Sequence, residues 1–286
     1  MRSIETNGIT LAVDDRGSGD AVVLLHGFPE LAYSWRHQMP ALADAGYRAI
    51  SFDQRGYGGS SKPNDVSEYT VEHLAGDVVG LMDRLGIDRA TIVGHDWGSI
   101  VAWTTAITYP DRVKQVVSLN VPYRGACVGF PTIEVMREQL ADRFGYVLMF
   151  QEVGTVEAMF DADPAAWLRG IYTWVAGNED FLTEEELAVF ADAFAAGGIT
   201  GPVNWYRNID ANAASFADQM DAPIIQPVLM LAADSDPVLP VSATVGMDRW
   251  IDDLTTVVIE NSGHWTQQEQ PAAVNDALIN WLGRDL

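Results

Sequence analysis

The segment VGHDWGS at residues 93–99 sets Asp96 between two glycines, after a β-branched run and before an apolar one. A strand, then Gly-x-nucleophile-x-Gly, then a helix is the pattern of a sharp elbow that lifts one side chain clear of a sheet. Gly94 and Gly98 leave room for the tight backbone, and SIVAWTTAITYP is expected to continue as an amphipathic helix. Asp96 is then a candidate nucleophile, whereas Ser99 falls past the turn, inside the helix. The plain alternative is an aspartate that merely caps the helix.

The histidines narrow the choice. In elbows of this kind the acid and the histidine follow the nucleophile in the chain, and of the five histidines (His26, His37, His73, His95, His264) only His264 follows Asp96. It sits in ENSGHW, on a loop between a β-branched run and a terminal helical segment. His37 and His73 lie in helical patterns as packing or surface residues, and His95 is expected to pack beside the elbow. The acid must come from LMLAADSDPVLP; Asp236 is placed to reach the histidine, while Asp234 suits ordering the turn. Asn120, after another strand, is disfavoured because an amide brings no charge to an imidazolium. HGFPE at 26–30 follows a strand, so the N–H groups of Phe28 and Trp97 are candidate oxyanion donors, their side chains lining an apolar pocket.

Short β-branched runs at 21–27, 47–53, 89–96, 113–120, 227–234 and 254–261 alternate with helical segments, the pattern of a mostly parallel sheet covered on both faces. The alternation breaks between VPY at 121–123 and DAPIIQP at 221–227, where the chain turns rich in Ala, Glu and aromatics. Residues 123–222 are expected to form a helical cap over the strands' carboxyl ends, and 1–122 with 223–286 the core domain. Within the cap, Thr183 and Glu186 form a capping box. Seventeen Lys and Arg against 40 Asp and Glu give a net charge of −23, which repels phosphate backbones and disfavours nucleic acid as a partner. Cys127 is the only cysteine, which excludes an intrachain disulfide and thiolate-rich metal sites. Neither an export signal nor a membrane span is expected, and a reducing, cytoplasmic setting fits.

Taken together, HGFPE, DQRGYGGSSKP, GHDWGS, the DSDP loop and SGHWTQQEQP make the chain resemble the epoxide hydrolases of the α/β-hydrolase superfamily over its whole length. The resemblance implies an α/β-hydrolase fold with an inserted helical cap, and two cap tyrosines that hold the epoxide oxygen. FGYVLMFQEVG points to Tyr146 and GPVNWYRNID to Tyr206, with Trp205 a core aromatic. It also explains the aspartate: a carboxylate can displace oxygen from a saturated ring carbon and form an ester that water then cleaves. That chemistry needs neither metal nor organic cofactor, only an apolar or aromatic epoxide and water.

A haloalkane dehalogenase shares the elbow aspartate, the histidine and the Trp after the nucleophile, but usually carries Asn where Phe28 stands. A fluoroacetate dehalogenase would need an arginine directly after Asp96, and a serine esterase would need a raised serine. A non-catalytic binding protein on the same scaffold would not need all three reactive groups.

Overall fold

A computed structural model describes residues 1–123, 131–178, 180–219 and 221–284, so Cys127 lies outside the described residues. Eight strands form one sheet: β1 (Arg2–Thr6), β2 (Ile9–Gly17), β3 (Ala21–Leu25), β4 (Arg48–Asp53), β5 (Ala90–His95), β6 (Val113–Leu119), β7 (Val228–Ala233) and β8 (Leu254–Ile259). Their order is β1-β2-β4-β3-β5-β6-β7-β8, with β1–β2 and β2–β4 antiparallel and every other pair parallel. Six of the strands are the expected runs. The first two were not among them.

Alternation along the strands divides the core. Val22, Leu24, Val93, Val117 and Leu231 face one side, against α1 (Gln38–Asp44) and the C-terminal helix. Val23, Leu25, Ile92, Val116 and Met230 face the other, against α2 (Val71–Arg84) and α3 (Trp97–Thr108). Continuous apolar strands are what helices on both faces demand. The helix α3 is not amphipathic as expected: every residue from Trp97 to Ala106 is buried. It is sandwiched against the sheet and α2, and its hydroxyls are satisfied internally; Ser99 Oγ donates to Gly94 O at 2.8 Å and Thr105 Oγ1 to Val101 O at 2.7 Å.

Between β6 and β7 lie α4 (Ile133–Gln139), α5 (Ala141–Phe150), α6 (Thr155–Ala162), α7 (Pro164–Val175), α8 (Glu184–Gly197), α9 (Thr200–Arg207) and α10 (Ile209–Ser215). Local signals start them: Asp163 caps α7 ahead of Pro164, and Thr183 with Glu186 closes the expected box on α8. Their apolar faces join the core beneath, since Phe150, Leu168, Phe190 and Trp205 belong to the same cluster as the strands. After β8 come α11 (Thr266–Glu269) and α12 (Pro271–Leu282). Among the described residues no helix is long and apolar enough to cross a membrane.

The strand order reverses direction between β3 and β5, so the chain leaves their carboxyl ends on opposite sides and opens a crevice there. Closing the elbow in that crevice demands bare backbone: a Cβ on Gly98 would lie 2.0 Å from Leu25 O, and one on Gly94 2.2 Å from Gly98 O. Gly98→Ala is therefore expected to cost at least about 1–3 kcal/mol through overpacking. Gly170→Ala, on the exposed face of α7 with nothing within 4 Å, should instead gain roughly 0.5–1 kcal/mol. Urea denaturation of both variants checks the pair; a neutral Gly98→Ala would contradict the close approach.

Candidate active site

At the tip of β5, Asp96 takes φ 50° and ψ −121°, a backbone strained for a non-glycine residue. This is the elbow, and it aims the carboxylate into the crevice. The loop after β3 meets it from the side: Phe28 N–H donates to Asp96 Oδ1 at 2.8 Å. Gly27 makes the approach possible, because a Cβ there would sit 2.6 Å from that same oxygen. The Trp97 amide is the first of α3, next in the chain to the carboxylate. The Trp97 indole packs edge-on against Tyr206, with ring centroids 5.1 Å apart.

The loop after β8 brings His264 Nε2 to 3.7 Å from Asp96 Oδ2. On the other side of the ring, Nδ1 donates to Asp236 Oδ2 at 2.8 Å, from the loop after β7. Asp236 also accepts from Val238 N–H at 2.8 Å, Leu239 N–H at 2.9 Å and Asn120 Nδ2 at 2.7 Å. Asn120, set aside as an acid, thus holds the acid in place, and its own Oδ1 accepts from Thr266 Oγ1 at 2.8 Å. Asp234 orders the turn as expected, accepting N–H bonds from Asn261 and Ser262.

Burial disfavours a charged ring, but the Asp236 carboxylate in contact and Asp96 beyond it raise the His264 pKa well above the ordinary imidazole value. Burial likewise raises a carboxyl, yet His264, Asn120 and the loop amides hold Asp236 below the usual range. Both expected tyrosines reach the same cleft, Tyr146 from α5 and Tyr206 from α9, with ring centroids 6.1 Å apart. Burial first, and then the Asp96 charge, pushes both phenols above their ordinary pKa, so they remain O–H donors at neutral pH. Phe28, Phe150, Ile171, Trp174, Val175 and Val238 complete a largely apolar wall. Trp205 lies outside it, buried, with Nε1 donating to Arg55 O.

Comparison with known proteins gives the family and the fold. A family model described as alpha/beta hydrolase fold matches residues 20–271. Epoxide hydrolase A of Mycobacterium tuberculosis is 39% identical over 98% of this chain and 96% of its own length. The chain belongs to the epoxide hydrolases of the α/β-hydrolase superfamily. The crystal structure of epoxide hydrolase A from Mycobacterium thermoresistibile superposes with a TM-score of 0.92 at 40% identity, covering 100% of this chain and 98% of that one. Bifunctional epoxide hydrolase 2 of Mus musculus is 38% identical over 96% of this chain, which spans only 54% of the mouse protein.

A second layer was missed in the sequence. Glu30, the last residue of HGFPE, is fully buried and accepts from Gly27 N–H at 2.8 Å, Gln267 Nε2 at 2.9 Å and Gln268 Nε2 at 2.8 Å. His95 does more than pack beside the elbow: Nδ1 lies 2.6 Å from Glu30 Oε2 and Nε2 lies 2.7 Å from the His264 carbonyl oxygen. The ring therefore bridges the Glu30 carboxylate and the main chain of His264. An acidic residue inside an apolar string was the one signal available for Glu30. Burial pushes its carboxyl up, but His95, the Gly27 N–H and His26 outweigh it and bring the pKa from 4.5 to about 2. The stability this carries is fully present above the unfolded value of 4.5 and is lost as pH falls toward about 2. The stability gap between wild type and Glu30→Gln should therefore shrink through that interval. Urea melts at several pH values measure it, and a gap independent of pH would refute the assignment.

Proposed function

We propose that the protein hydrolyses an apolar or aromatic epoxide to a vicinal diol through a covalent ester on Asp96. One observation carries the reading: the elbow bears a carboxylate, with a His–Asp pair 3.7 Å away and two tyrosines, Tyr206 buried and Tyr146 half-buried, on the same cleft. An Asp96 oxygen attacks the less hindered ring carbon, the carbon–oxygen bond breaks, and the ring oxygen takes a proton from Tyr146 or Tyr206. Water then gives a proton to His264, oriented by Asp236, and attacks the ester carbonyl. Phe28 N–H already reaches the Asp96 carboxyl and, with Trp97 N–H, would stabilise the tetrahedral oxyanion. Of the two water protons, one ends on the departing hydroxyl and the other returns the imidazole and tyrosine to their starting protonation. The reading uses no metal or organic cofactor. It retains the division into core (1–122, 223–286) and cap (123–222), and a cytoplasmic setting.

Electrostatics times the two steps. While Asp96 is charged, it helps keep His264 protonated. Once Asp96 is an ester that charge is gone, and the imidazolium, losing part of its support, can give its proton to the tyrosinate left by ring opening and become the neutral base the second step needs.

Three measurements test this. In His264→Gln the second step should stall, so that the Asp96 peptide gains the mass of the epoxide; no adduct, under conditions where substrate binds, would defeat the covalent route. Asp96→Asn imitates the neutral ester, and the His264 pKa followed by NMR should fall below that of the wild type; equal values would remove the electrostatic account. Replacing either tyrosine by Phe should slow ring opening by ~10²-fold, in the usual range for general-acid assistance, and replacing both should slow it further. Unchanged single-turnover alkylation in the double variant would exclude the tyrosines.

A further inference from the structure

Three consecutive amides surround the base, and none is left to the loop's own conformation. Gly263 N–H donates to Glu269 Oε2 at 2.9 Å and Trp265 N–H to Glu269 Oε1 at 2.9 Å, while His264 N–H donates across to Val175 O, at the end of α7, at 2.9 Å. Glu269 Oε2 also accepts from the segment following α7, from Gly177 N–H at 2.8 Å and Asn178 N–H at 3.0 Å. One carboxylate, 8% exposed, therefore takes four main-chain donors from two segments about 90 residues apart in the chain. The backbones themselves touch: a Cβ on Gly177 would lie 2.4 Å from Gly263 N, and one on Gly263 2.0 Å from Gly177 N. Trp265 Nε1 adds a bond to Tyr172 O at 2.8 Å.

We infer that Glu269 is a positioning residue that ties the seating of cap segment 175–178 to the placement of His264, so that ester hydrolysis depends on α7 being docked. The inference rests on the ester mechanism proposed above. Glu269 is not on the cleft wall, and no step of that mechanism uses it. Only an acceptor without protons suits the place. A glutamine must turn its NH₂ toward either Trp265 N–H or the other three donors, leaving a buried donor facing a donor. Trp174 and Val175, in the last turn of α7, line the cleft beside His264, so the wall that meets substrate and the base that finishes the reaction share one anchor.

Rapid-quench single turnovers, with the ester quantified by mass, separate alkylation from hydrolysis. In Glu269→Gln, hydrolysis should slow by roughly 10-fold to 10²-fold, the scale of a misplacement of about 1 Å, with alkylation close to wild type. Gly177→Ala, which keeps Glu269 but pushes the two backbones apart, should show the same split, and it carries the test if the first variant does not fold. Amide exchange at Gly177 and Gly263 should quicken in both. Wild-type hydrolysis in a folded variant, or equal slowing of both steps, would overturn the inference. His264→Gln run alongside distinguishes the two levels: if it accumulates no ester, the mechanism fails; if it does while Glu269→Gln hydrolyses normally, only the positioning role fails.

Discussion

One imidazole stands between two carboxylates, 2.8 Å from Asp236 and 3.7 Å from Asp96, and the difference between those carboxylates organises the site. Asp236 is saturated, accepting from the ring, from an amide side chain and from two loop N–H groups. Each donor stabilises its charge and lowers its readiness to share electrons with carbon. Asp96 stands at a strained turn, steadied on one oxygen by Phe28, with the other oxygen toward the ring but beyond hydrogen-bond range. Two residues of the same type are thereby fitted to the different work proposed for them, one to orient and one to react. Because both charges raise the histidine, the proposed ester, by consuming one of them, would ready the base.

The surroundings sharpen that contrast. Phe28, Phe150, Trp97 and Tyr146 all meet Tyr206 ring to ring, with centroids between 5.0 and 6.1 Å. Edge-to-face pairs of this kind contribute about 0.5–1.5 kcal/mol each and hold the phenols among apolar rings. In such a medium the tyrosines resist ionisation, and in the proposed ring opening their hydroxyls would be the donors facing a developing alkoxide. The apolar wall is thus part of the chemistry, since the same O–H groups would be weaker partners in water.

Sequence made the reactive centre legible because its constraints are local. The elbow needs glycines at fixed offsets, and the chain order left His264 without a competitor. Tyr146 and Tyr206 came only through family likeness; physics alone could not separate them from Trp205, which is a core residue. Where meaning depends on distant partners, the sequence was silent. Glu30 is satisfied by Gln267 and Gln268 from the far end of the chain, and Glu269 by Gly177 and Asn178. Asn120 was judged as a failed acid, although its role is to donate to one. The hairpin β1–β2 escaped notice because its strands lie at a sheet edge, and β1 shows no buried alternation. In α3 the serine and threonines suggested a polar face, but inside a sandwiched helix those hydroxyls turn back onto carbonyls.

The helices between β6 and β7 are inserted in sequence but not independent in energy. Tyr172 OH donates to Pro29 O, Trp205 Nε1 to Arg55 O, Asn208 Nδ2 to Val66 O, and Arg36 pairs with Glu186 at 2.8 Å. Lifting the whole layer would break these ties and uncover Trp205 and Tyr172, at about 4–6 kcal/mol for each such aromatic returned to water. A rim that needs no such exposure is the cheaper way in. Trp174 supplies it, already 54% exposed and lining the cleft, its ring 5.7 Å from that of Tyr146.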